Sequence, residues 1–242
     1  TSLVALVVPD MTNPFFPELA RAVEDVCSDR GYTLVLCHSD NDARKARAYI
    51  DALMRNRAAG FIFAADAVSG KETAALRRAG TPAVILDRSG GAEHCSIVRV
   101  DNAAGARLAT RHLLERGCRK IAHIYGPPHI DTARERLLGY ESVVRELPWY
   151  TPSLLLPGDF GAASGTAAVE ELLRRHPDAD GLFAGNDLMA IGALKALLRR
   201  GVRVPDDVAV CGFDGIAMSA LTEPELSTVA QPVYAMGKLA AE

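Results

Sequence analysis

The chain has no large excess of charge of either sign: 27 lysines and arginines stand against 30 aspartates and glutamates, a net charge of −3 over 242 residues. That balance offers no general attraction to nucleic acid or to an anionic membrane. Its five cysteines, Cys27, Cys37, Cys95, Cys118 and Cys211, are odd in number and form no C-x-x-C pair. Such scatter argues against a disulfide framework and for a reducing, cytoplasmic setting. No apolar run approaches the roughly 20 residues of a membrane span, and Thr1-Ser2-Leu3 lacks the charged and apolar regions of a signal peptide. Catalytic signatures are missing too. Gly70-Lys71 is followed by Glu72 and has no earlier glycine, so it is no P-loop, and G-x-G-x-x-G, G-x-S-x-G and H-E-x-x-H do not occur. The six histidines do not cluster at ligand spacing, and Glu93-His94-Cys95 falls in a loop. No metal, no cofactor and no enzymatic activity is expected.

What is present is one pattern written twice. Short apolar runs end in polar residues: Leu3 to Val8 before Asp10, Leu34 to Cys37 before Asp40, Phe61 to Ala65 before Asp66, and Ala83 to Leu86 before Asp87-Arg88. Helical stretches separate them, such as 42–60, with Ala46, Ile50, Leu53 and Met54 on one face. Strand and helix alternating with short connections means βαβ units and a parallel sheet. The order returns at Ile121 to Tyr125, Leu154 to Leu156, Gly181 to Ala184 and Val208 to Cys211, with strand starts offset by 118, 120, 120 and 125 residues. A near-constant offset indicates two lobes of similar build. After the run 181–184, Asn186-Asp187 opens a helix expected to bury Leu188, Ile191, Leu194 and Leu198 and to stop at Gly201.

At the first strand's end, "VVPDMTNPFFPEL" places Asn13 as a helix N-cap, Pro14 at the first helical position and Phe15-Phe16 in the first turn. Ligands of open α/β sheets bind at the carboxyl ends of the strands, so two aromatics there are candidates for a pocket wall. The strand-end aspartates, the arginine forks of Arg88 and Arg134, and the dual donor–acceptor groups of Asn186 and Gln231 suit a neutral polyol. A monosaccharide donates and accepts around its ring of hydroxyls and presents apolar C–H faces to aromatic rings. An anion would want arginines without so many opposing acids.

The stretches "VALVVPDMTNPFF", "VDNAAGARLATRHLLERGCRKIAHIYGP", "TARERLLGY", "LFAGNDLMAIGALKALLRRGVRVPDDVAVCGFD" and "LSTVAQPVYAMGKLAAE" resemble, in this order, the effector-binding core of the LacI/GalR family of repressors, which shares its fold with periplasmic sugar-binding proteins. The resemblance implies two doubly wound parallel-sheet α/β lobes of the periplasmic-binding-protein type I kind with a ligand cleft between them. One lobe is 1–100 plus 232–242 and the other 101–231, with the chain crossing near Val100 to Asn102. It implies a homodimer that reaches operator DNA through a helix-turn-helix module not found ahead of Thr1, and an end at Glu242 short of the family's usual one. Carried over from the ribose-binding protein, the implied ligand contacts are Asn13, Phe15, Phe16, Asp87, Arg88, Arg134, Phe160, Asn186, Asp214 and Gln231, with ribose or a similar pentose as ligand. Gly215, where many repressors carry a second aspartate, agrees with that pocket. The competing readings are a periplasmic sugar receptor of a transport system and, from a different class, a sugar-converting enzyme.

Overall fold

The computed structural model describes residues 2–65, 68–87 and 95–242. By its internal contacts the chain divides into two units: the described residues up to Val100 together with Pro232–Glu242, and Asp101–Gln231.

The first unit holds strands β1 (Leu3–Val8), β2 (Thr33–His38), β3 (Gly60–Phe63), β4 (Ala83–Leu86) and β5 (Ser96–Val98). All pair in parallel, in the order β2-β1-β3-β4-β5. Parallel strands need crossovers, here helices α1 (Phe15–Asp29), α2 (Ala43–Arg55) and α3 (Gly70–Arg78). Alternate residues feed two cores. Ala5, Val7, Phe61, Phe63 and Ile85 pack with Ala46 and Ile50 of α2 and Leu76 of α3. Leu6 and Val8, also fully buried, point to the other face, where α1 lies with α8 (Val233–Ala241). Asp42 caps α2 by accepting from Arg44 N, and Ser69 with Glu72 makes a capping box on α3.

The second unit repeats the plan. Helix α4 (Asn102–Glu115) leads into β6 (Ile121–Tyr125), α5 (Asp131–Val144), β7 (Leu155–Pro157), α6 (Ala162–Arg175), β8 (Gly181–Ala184), α7 (Asp187–Arg199), β9 (Ala209–Asp214) and β10 (Ser227–Ala230). The order β10-β9-β8-β6-β7 reads backwards as the first unit's topology. Leu182 and Ala184 face α6 and α7, whereas Phe183, Cys211 and Phe213 face α4 and α5. Helices α6 and α7 meet backbone to backbone: a Cβ on Gly165 would lie 2.0 Å from the Met189 carbonyl oxygen, and one on Gly192 1.9 Å from that of Ala162.

Three local expectations are corrected. Helix α1 starts at Phe15 with Pro14 in the cap position, one residue later than expected; the Asn13 side chain still accepts from Phe15 N at 3.1 Å. In α7 the buried residues include Met189, Ala190, Ala193 and Leu197; of the expected stripe only Leu194 is buried, Leu188 and Ile191 are half-buried, and Leu198 is exposed. The helix is covered by the sheet and by α6 at once, so no single stripe marks its inner side. Strand β9 runs on past Cys211 to Asp214 because β10 pairs with it up to Ala230.

No described helix is long and apolar enough to cross a membrane. All five cysteines are free. Burial pushes the Cys118 and Cys211 thiols up to about 11 and about 12, with Asp180 and Asp187 adding to it. Among the described residues no group of three or more His, Cys, Asp or Glu side chains could hold a metal ion; Glu93 and His94 lie outside them.

Candidate ligand-binding site

In a parallel sheet all strands end on one side, so residues that follow them are gathered there whatever their distance in sequence. In the first unit, the loop after β1 is folded on itself by Asp10, whose Oδ1 accepts from Thr12 N at 2.8 Å and Thr12 Oγ1 at 2.7 Å. It delivers Asn13 and then Phe15 and Phe16, whose rings meet edge to face with centroids 5.1 Å apart. Both rings are buried. Asp87 directly follows β4; it is buried, its amide donates to the Val98 carbonyl at 2.8 Å, and its φ of 59° lies in the left-handed region that aspartate tolerates better than most residues. Arg88 and Asp66 lie outside the described residues.

In the second unit each of the five strands supplies one predicted residue at its carboxyl end. Arg134 follows β6, Phe160 follows β7, Asn186 follows β8, Asp214 ends β9 and Gln231 follows β10. Four of them form two bonded pairs. Asn186 caps α7 through Oδ1, accepting from Met189 N at 3.0 Å, and its Nδ2 donates to the Phe160 carbonyl at 2.9 Å. The Phe160 backbone is held at φ 70°, and its ring covers Gly126 so closely that a Cβ there would lie 2.4 Å from it. Gln231 Nε2 donates to Asp214 Oδ1 at 2.8 Å. That bond fixes the amide's orientation, because only its nitrogen can face a carboxylate. The Gln231 Oε1 is then a buried acceptor with no partner among the described residues. Arg134 joins neither pair: its side chain is about half exposed, ion-paired with Asp131 and donating to the Pro128 carbonyl at 3.2 Å.

Sequence reasoning missed Arg136. This guanidinium is buried, donates to the Gly185 carbonyl at 2.7 Å and to Asn102 Oδ1 at 3.0 Å, and stands 3.3 Å from Asp214 Oδ1. Its Cζ lies 3.9 Å from the Phe213 ring centroid. A signal was available: Thr132, Ala133, Arg136, Gly139 and Tyr140 are spaced as one buried helical stripe, with an arginine inside it. Asp187, read as a simple strand-end acid, also proves central. Fully buried, it accepts from Gly215 N at 2.8 Å, Ile216 N at 2.9 Å and Thr228 Oγ1 at 2.6 Å, pinning the turn after Asp214. Burial raises its pKa, and those bonds and the Arg136 charge oppose the rise. Chemically, the second unit's sheet end presents a carboxylate held by a fixed cation, an unpartnered amide oxygen and an aromatic ring.

Residues 110–242 match the model of a periplasmic binding protein-like domain. The chain is 43% identical over 237 residues to the ribose operon repressor of Halalkalibacterium halodurans, covering 98% of this chain and 70% of that protein. It is 32% identical over 244 residues to the HTH-type transcriptional repressor PurR of Aliivibrio salmonicida, covering 100% of this chain and 73% of that protein. Among solved structures, a LacI family transcriptional regulator from Enterococcus faecium with bound ribose superposes with a TM-score of 0.90 at 33% identity, over 99% of this chain and 87% of that one.

Proposed function

The chain belongs to the LacI family of transcriptional regulators, and from that premise we propose that it is a sugar-sensing effector domain that binds ribose, or a closely similar pentose, without changing it. In this reading the sugar is contacted by Asn13, Phe15, Phe16, Asp87 and Arg88 of the first unit and by Arg134, Phe160, Asn186, Asp214 and Gln231 of the second. The observation that carries it is the orphaned Gln231 Oε1 beside Asp214. A buried acceptor left unpaired costs about 1 to 3 kcal/mol, and a sugar hydroxyl is a donor that would relieve it. Hydroxyls also donate to Asp214 and Asp87, while the phenylalanine faces take the C–H side of the ring.

The ribose-bound relative and the ribose operon repressor make a pentose the first ligand to test. Because the proposed contacts come from both units, ribose favours the arrangement that lets both reach it. That preference, worth about 1 to 3 kcal/mol of coupling, is what a homodimer in the cytoplasm would transmit to operator DNA through a DNA-binding module outside this chain. Calorimetric titration with ribose, arabinose, xylose, glucose and hypoxanthine tests the reading. Ribose should bind, and Gln231→Leu should weaken it about tenfold. Heat from hypoxanthine with none from any pentose would replace the sugar by a nucleobase.

A further inference from the structure

The loop between β1 and α1, which carries Asn13 and opens onto Phe15 and Phe16, has a support outside itself. At the end of the neighbouring strand β2, the His38 ring receives the Met11 amide on Nδ1 at 3.2 Å. A backbone N–H can only donate, so Nδ1 carries the lone pair and the ring proton sits on Nε2. That proton points at Asp40, with which Nε2 makes a short hydrogen bond. Lys45, in the first turn of α2, donates to the other Asp40 oxygen at 2.7 Å. Asp40 is thus held from one side by a cation and from the other orients the imidazole. The Asp40 and Asn41 backbones, both at φ 54°, turn the chain so that this carboxylate faces back toward β2. The strand ends are also tied by Ser39, whose amide and hydroxyl both donate to the Val8 carbonyl, at 2.9 and 3.1 Å. The loop's base is therefore fixed by Ser39 and its middle by His38. Among the described residues the Met11 amide has no second acceptor to replace that bond.

We propose that His38 is a positioning residue for ligand binding: its Nδ1 lone pair, directed by the Lys45–Asp40–His38 relay, holds the loop that presents Asn13 and the two phenylalanine rings. The assignment rests on the pentose reading for which ligand is used, and on geometry alone for what His38 holds. An asparagine side chain places Oδ1 where the histidine has Nδ1, so His38→Asn keeps an acceptor for Met11 and drops the link to Asp40, whereas His38→Leu drops both.

The test measures amide exchange at Met11 and ribose titration on the 242-residue chain and these two variants, with urea midpoints to establish that each is folded. Imidazole nitrogen spectra of the parent chain and of Asp40→Ala read the tautomer. The expected results are an Nε2–H ring that becomes a tautomer mixture in Asp40→Ala, Met11 exchange about 3 to 10 times faster in His38→Leu and near the parent rate in His38→Asn, and ribose affinity reduced by a similar factor in His38→Leu and recovered in His38→Asn. An Nδ1–H ring, or Met11 exchange unaltered in His38→Leu, would overturn the proposal, as would faster exchange with unaltered ribose affinity. A parent chain that gives no heat with ribose refutes the pentose reading instead, and the Met11 and tautomer measurements still decide what His38 holds.

Discussion

Arg136 and Asp214 offer the most direct test of how the second unit's sheet end is built. Their side chains are 4% and 6% exposed and stand 3.3 Å apart. With an effective dielectric constant of about 20, two unit charges at that distance attract by about 5 kcal/mol. Arg136→Met keeps most of the side chain's length but leaves the Asp214 carboxylate, the Gly185 carbonyl and Asn102 Oδ1 with one donor fewer each. Removing one partner of a buried pair costs about 3 to 5 kcal/mol, in line with the Coulomb figure. Asp214→Asn is the matching change, since asparagine also tolerates the positive φ of 114° found there. In the double variant the uncompensated charge is gone, and about 1 to 3 kcal/mol should return as coupling. The assay is urea unfolding followed by fluorescence of Trp149, the only tryptophan, which packs against both hydrophobic clusters of the second unit. A single variant that costs under about 1 kcal/mol, or a double variant additive to within about 0.5 kcal/mol, would refute the idea that this pair holds the carboxylate in place.

Three further outcomes are expected. Gly126→Ala should push the Phe160 ring aside, since the new methyl would lie 2.4 Å from it, and ribose affinity should fall about tenfold for about 1 to 3 kcal/mol of overpacking; calorimetry and urea unfolding measure the two. Burial drives the His123 pKa down to about 4, the Phe183 carbonyl opposing and the Arg136 charge adding, so the unfolded chain takes up the proton first: stability is full above pH 6.5 and about 3 kcal/mol is lost as pH falls to about 4, a slope that His123→Phe should remove from urea midpoints. Burial would raise Glu72, but the Ser69 hydroxyl, the Arg47 guanidinium and the Ser69 amide outweigh it and hold the pKa at about 2. Its contribution is complete above pH 4.5 and fades toward pH 2, so Glu72→Gln should flatten the acid limb of the first unit's unfolding, followed by amide exchange in α2 and α3.

The strands and their doubled order were legible because parallel strands buried on both faces read as compact apolar runs, and polar residues must follow them where the chain leaves the sheet. The helix that follows Asn186-Asp187 was legible for the same local reason, but the capping role of Asn186 was not. What escaped depends on partners distant in sequence. The inner side of α7 is set by two covering layers, and the reach of β9 by its pairing with β10. Arg136 was missed because Asp214, the partner that gives its charge a place in the interior, lies far along the chain. Arg134 carried the sugar resemblance, yet its guanidinium is engaged locally with Asp131.

Helix α8 completes the first unit from far along the chain: Tyr234 Oη donates to Asp25 of α1 at 2.6 Å, across 209 residues. On the ribosome this sets an order of events. Asp101–Gln231 is a continuous unit and can fold as soon as it emerges, while α1 waits uncovered for its partner, on the order of ten seconds at ordinary synthesis rates. The half that carries Asn13, Phe15 and Phe16 is therefore made first and finished last, and a chain that stalls after Gln231 would carry one finished unit and one with an apolar helix face open to chaperones and proteases.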